Sequence, residues 1–194
     1  MFDGFIAGIG TASGTRLALG HWARSPFGPF SDVMLERNDG HRILLAPGRE
    51  TARFIADTYS FDEVRIEPVG VTVTSNSWTV GTPSLTLGFT TGPRGPLGLA
   101  LRTVPRALAA SPRWIQALDR PARLLRGVRT CGSAGGGRYE WYGAQDLRPV
   151  GRATAAFEGE DLGPLAAVTP PVRFGFGSTP REPCVVRVTT TVAG

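Results

Sequence analysis

At 194 residues with 41% apolar content, the chain has enough material to bury a substantial core, and a single domain over 1–194 is expected. Its 26 glycines and 16 prolines favour turns and short strands, and no apolar run approaches the roughly 18 residues of a membrane span. All 21 basic residues are arginine, which excludes imine chemistry at a lysine: a guanidinium cannot be turned into a neutral nucleophile near pH 7.

The net charge of +5 points only weakly to nucleic acid, because an arginine-only, Ala- and Gly-rich chain is what GC-rich coding produces. The start of the chain lacks a basic stretch followed by an apolar run, so no signal peptide is expected. Cys131 and Cys184 have no motif spacing. A disulfide stays open, and a reduced, cytoplasmic chain is the plainer expectation.

In chain order, Gly8, Gly10 and Gly14 have the spacing G-x-G-x-x-x-G, which does not fit a dinucleotide loop, and no convincing strand precedes them; a flexible turn is expected. Thr15–Trp22 reads as a strand, with Leu17 and Leu19 on one face, Arg16, Ala18 and Gly20 on the other, and His21 near its end. Phe30–Glu36 is a second strand. Asn38-Asp39-Gly40 turns it into a third at His41–Ala46. Pro47-Gly48 stops that strand and Arg49–Tyr59 has helical spacing, with Ala52, Ile55, Ala56 and Tyr59 on one face. Phe61-Asp62-Glu63 then turns into a strand carrying Val64 and Ile66.

Alternation places Phe30, Asp32 and Met34 on one face of their strand. A carboxylate between two apolar neighbours either faces a pocket or makes a structural ion pair, with Arg24 and Arg65 as candidate partners.

Short strands follow at Val71–Thr74, Trp78–Val80 and Ser84–Thr90. An insertion of short helices is expected at about 97–128, with Pro105, Pro112 and Pro121 each placed to open one. It carries Arg102, Arg106, Arg113, Arg120, Arg123, Arg126 and Arg129. This run reads either as a basic surface for an anionic partner or as a solvated face whose stems cover Trp114, Leu118 and Leu124. Aromatic residues for base stacking are scarce there, so nucleic acid is not the expected partner.

Cys131–Gly137 is expected to be a flexible loop, and Ser133 lacks a nucleophile motif. Tyr139–Tyr142 alternates, with Tyr139 and Trp141 against Glu140 and Tyr142. Strands at Leu147–Phe157, Val172–Phe176 and Cys184–Val192 complete the pattern. His21, His41 and the two cysteines make no metal-ligand cluster. No metal, no other cofactor and no internal repeat is expected, and homo-oligomerisation is left open.

Gly28, Phe30 and Asp32, the hairpin that follows, and Gly48-Arg49-Glu50 at a short helix resemble the central segment of acetoacetate decarboxylases and their relatives. There a Gly-x-Tyr-x-Glu strand precedes a hairpin, and a Gly-Arg-Glu helix leads to an aromatic-Pro-Lys-Lys turn that bears the Schiff-base lysine. The resemblance covers Ser25–Val69. It departs from the family where the lysines would fall, at about Phe61-Asp62-Glu63.

The resemblance implies a mainly β, α+β domain: an antiparallel, cone- or barrel-like sheet with one embedded helix, here with a short helical insertion. It also implies a ligand-binding pocket lined by Phe30, Asp32, Phe61 and Glu63. Three classes of function then compete. One is a small-ligand protein with non-imine acid–base chemistry on an acidic or keto-type compound. Another is a non-enzymatic accessory protein on the same scaffold. The last is a binder of nucleic acid or anionic surfaces through Arg102–Arg129.

Overall fold

The computed structural model describes residues 1–175 and 179–193. The chain opens with β1 (Phe2–Thr11), β2 (Arg16–Arg24), β3 (Phe30–Glu36) and β4 (Arg42–Ala46). Helix α1 (Arg49–Thr58) leads to β5 (Glu63–Ile66), β6 (Gly70–Thr74), β7 (Ser77–Gly81) and β8 (Leu85–Thr91). Helices α2 (Pro96–Thr103), α3 (Arg106–Ala109) and α4 (Pro112–Arg126) follow. The rest is β9 (Cys131–Ser133), β10 (Tyr139–Phe157), β11 (Glu160–Asp161), β12 (Leu165–Ala166) and β13 (Cys184–Ala193).

Ten of these strands form one sheet in the order β5-β4-β3-β2-β1-β13-β10-β8-β7-β6, with β9 and β11 paired to β10 and β12 to β1. Pairing is antiparallel except between β4 and β5, which run parallel because α1 carries the chain across between them. The sheet curls into an open half-barrel. Val33 and Leu45 from one end share a core with Trp78, Leu87 and Phe89 from the other. Two register shifts in β10, at Ala144/Asp146 and Val150/Arg152, supply part of the bend.

The sheet therefore has two differently covered faces. Leu17, Leu19, Val33, Leu35, Ile43 and Leu45 point into the curl and are fully buried. Their alternating neighbours point the other way, where α1 packs Ala52 and Ile55 against Leu44 and Ala46. Phe2, Trp22 and Val188 form a further cluster on that outer face. Among the described residues, no helix is long and apolar enough to cross a membrane.

Several expectations are corrected. Gly8 and Gly10 lie inside β1, so only the tip of the predicted turn, at 12–15, is a turn. A glycine-rich strand forms here because neighbouring backbone presses on it: a Cβ on Gly10 would sit 2.2 Å from the Ala167 carbonyl oxygen. His21 is within β2, which continues to Arg24. Pro121 opens no helix but lies inside α4, where it removes a single backbone donor from a helix of 15 residues.

Residues 131–133 pair with β10 instead of looping freely, and the two strands expected at 139–142 and 147–157 are one bent strand of 19 residues. No strand is assigned over 172–175. Phe176, expected beside Phe174, lies outside the described residues.

Candidate functional site

The outer face of β2 and β3, roofed by α1 and closed by β10, holds a cavity of about 80 Å³. Strand alternation delivers its walls: Phe30, Asp32 and Met34 from β3, Trp22 from β2, and Glu140 and Tyr142 from β10. Helix α1 adds Phe54 and Ile55, and Tyr59 follows at its C-terminal cap. Packed rings make a rigid side to this cavity, with Phe54 centred 5.3 Å from Phe2 and 5.2 Å from Phe27.

Two carboxyl groups are buried in the lining. Asp32 accepts a hydrogen bond from Trp22 Nε1 at 3.0 Å, and Gly20 stands opposite it on β2. Neither Arg24 nor Arg65 reaches it. Arg24 pairs with Asp3, and Arg65 with Glu63 and Glu158. Burial without a counter-charge pushes the Asp32 carboxyl up to about 7, against the opposing pull of the Trp22 hydrogen bond.

Glu140 lies below two phenols. Tyr59 Oη donates to it, at 2.9 Å from Oε2 and 3.1 Å from Oε1, Tyr142 Oη is 3.1 Å from Oε2, and the two phenol oxygens are 2.5 Å apart. Burial raises the Glu140 carboxyl above the usual range, while the hydrogen bonds from Tyr59 and Tyr142 pull it back down. Burial and the neighbouring Tyr142 and Glu140 hold the Tyr59 phenol well above its ordinary value, so it stays a neutral donor.

No cation is among the described residues that line this cavity. Arg138 acts from behind, capping the end of α1 through Thr58 Oγ1 at 2.7 Å and the Phe54 carbonyl at 3.2 Å. The arrangement offers one carboxyl, Asp32, able to hold a proton near neutral pH, together with neutral phenol donors and an apolar surround. The second carboxyl, Glu140, is raised by burial and lowered by its phenol donors and by Arg138.

The four residues expected in one pocket are divided. Phe30 and Asp32 line the cavity. Phe61 is one ring behind it, stacked at 5.7 Å on Phe174, which does line it. Glu63 is on the other face of the sheet: β5 pairs Glu63 with Ile43 and Arg65 with Leu45, both of which point into the curl. There Glu63 bonds to Arg65 Nε at 2.6 Å and His41 Nε2 at 3.4 Å.

Trp22, Gly20, Tyr59, Glu140 and Tyr142 were not singled out by the sequence. The one signal was the shared face of Glu140 and Tyr142.

The cysteines and histidines do not assemble either. Cys131 meets Tyr139 Oη at 3.5 Å, Cys184 is a buried thiol pushed up to about 12, and His21 bonds through Nδ1 to Ser31. Among the described residues, no group of three or more His, Cys, Asp or Glu could hold a metal ion. Of the arginine run, Arg102 and Arg106 line one other cavity and Arg126 and Arg129 another, while Arg113, Arg120 and Arg123 line neither.

No protein-family model matches the chain, and no curated protein matches it by sequence. The crystal structure of an acetoacetate decarboxylase from Legionella pneumophila aligns with 100% of this chain and 86% of that chain. The alignment has a TM-score of 0.43 and 7% identity. So loose a likeness says nothing about chemistry.

Proposed function

We propose that this protein binds a small, uncharged keto-type compound in the cavity beneath α1 and that Asp32 exchanges a proton with it. The observation that carries this reading is the burial of Asp32 and Glu140 in one apolar lining without a cation. A carboxyl titrating near 7 is poised to donate a hydrogen bond to a carbonyl oxygen and to take up a proton from an adjacent carbon. A cavity of about 80 Å³ is roughly half the size of one that takes benzene, so it admits a ligand of about three or four non-hydrogen atoms.

An anionic ligand fits less well, because its charge would be buried beside two acids. Phe30 supplies a wall and Phe61 braces it through Phe174; Glu63 takes no part. Imine formation is excluded by the lysine-free sequence.

The test is a thermal-shift screen at pH 6 and pH 8 against short ketones, the matching carboxylates and the matching primary amines. The expected result is stabilisation by a ketone at pH 6 that weakens at pH 8 in wild type but not in Asp32→Asn, whose amide stays a neutral donor at both, and that is lost in Asp32→Ala. Stabilisation by amines alone, growing with pH, would mean an ionised cation site and would overturn the reading.

A further inference from the structure

A larger cavity, of about 370 Å³, lies on the same outer face of the sheet under the helices α2, α3 and α4. Its floor comes from β1, β10 and β13, with Gly8, Ala144 and Val186. Its roof includes Leu101, Ile115 and Leu118, and its lining is almost wholly apolar. Ile6 and Tyr142 belong to both linings, so a single layer of side chains divides this chamber from the carboxyl cavity.

The chamber is held open by its supports. A Cβ on Gly98 of α2 would lie 2.2 Å from the Leu147 carbonyl oxygen, and one on Gly143 would lie 2.3 Å from the Ala109 carbonyl oxygen. The first two helices thus already rest backbone to backbone on β10 and cannot settle closer. Helix α4 is tied at its far side, where buried Asp119 accepts from Thr130 N at 2.8 Å and Thr130 Oγ1 donates to the Ile115 carbonyl at 3.0 Å. An apolar chamber of this size offers water few partners and leaves its walls without contacts when empty.

Charge enters the described lining only through Arg126 and Arg129, where α4 ends and the chain turns toward β9. Arg126 Nη1 meets Glu182 Oε2 at 2.7 Å, and the Glu182 side chain is 79% exposed, so it returns to water at little cost when another carboxylate arrives.

We propose that this chamber is the binding site of a medium- to long-chain carboxylic acid, with its hydrocarbon chain between sheet and helices and its carboxylate at Arg126 and Arg129. An apolar wall of this extent takes the chain, and two guanidiniums at one end take the head group, Arg126 by exchanging Glu182 for it.

The test uses a fluorescent polyene fatty acid displaced by dodecanoate or by dodecanol. Saturable binding near one equivalent is expected, with dodecanol weaker than dodecanoate by about tenfold or more, the worth of one charged hydrogen bond. Arg126→Gln should weaken dodecanoate by a similar factor and leave dodecanol unchanged. Ala144→Phe from the floor and Ala122→Phe from the roof should each abolish binding while melting at or above the wild-type temperature. Ala122→Phe, on helix α4, keeps the test decisive if the strand variant fails to fold. Absence of saturable binding, equal affinity for acid and alcohol, or full binding by a folded Ala122→Phe would each overturn the proposal.

Discussion

Trp22 Nε1 donates to Asp32 Oδ1 at 3.0 Å, inside the protein and with no cation to answer the carboxyl. Its titration near 7, against 3.8 in the unfolded chain, makes it a source of pH-dependent instability. Between those values the native state holds a proton that the unfolded state has lost, so stability falls as pH rises through that window and levels off above 7. The difference is on the order of 4 kcal/mol. Asp32→Asn still accepts from Trp22 and has no charge to bury. It should match wild type near pH 4 and exceed it by roughly 2–4 kcal/mol at pH 8. Urea denaturation at the two pH values checks this. A variant less stable than wild type at pH 8 would mean that Asp32 serves a structural ion pair.

Gly20 makes the Trp22–Asp32 bond possible. A Cβ there would lie 2.5 Å from Asp32 Oδ1 and 2.7 Å from Trp22 Nε1, both closer than real contacts allow. Gly20→Ala should cost roughly 1–3 kcal/mol by overpacking. It should also move the Trp22 indole N–H resonance in a ¹⁵N-correlated spectrum. An unshifted resonance would refute this account of the glycine.

Local sequence carried much of this site and failed at its long-range closure. Alternation through Phe30, Asp32 and Met34 set a carboxyl among apolar neighbours, and Pro47-Gly48 marked where α1 begins. Glu140 and Tyr142 share a face by the same rule. Nothing local says that β10 comes to lie near β3, because β1, β2 and β13 intervene in the sheet and their register is set by the whole core. Glu63 was misplaced for a related reason. The parallel pairing of β5 to β4 turns it into the curl side, and parallel register is carried by the crossover through α1. The glycines of β1 looked like a turn because the contacts that require them, such as Ala167 against Gly10, come from far along the chain.

Tyr59 should be silent in alkaline titration. Its phenol is held well above the ordinary value by burial and by Tyr142 and Glu140. Phenolate absorbance gained by pH 11 should therefore be the same in wild type and Tyr59→Phe. The same variant removes a donor from buried Glu140 and should lower stability by about 1–3 kcal/mol. A smaller phenolate signal in the variant would show that Tyr59 ionises normally and that its hydroxyl is not enclosed.

Among the described residues, the most deeply buried ion pair lies beside the turn that joins β1 to β2. Arg16 Nη2 is 2.8 Å from Glu36 Oε1, with the side chains 2% and 0% exposed. Glu36 also accepts from Arg173, through the backbone N–H at 2.7 Å and Nε at 2.9 Å. Arg16 keeps weaker contacts to the Gly14 and Arg37 carbonyls, and its Nε has no partner in the described structure. Removing one charge strands the other. Glu36→Gln should cost about 3–5 kcal/mol, because the desolvated Arg16 loses the carboxylate that offsets its burial. Replacing both, as Arg16→Met with Glu36→Met, should cost less than the two single replacements added together, since no buried charge is orphaned: the Arg173 side chain, 67% exposed, turns to water. A double-mutant cycle by chemical denaturation measures this directly. Additive losses would show that the two side chains are held by their other partners and that the pair itself contributes nothing.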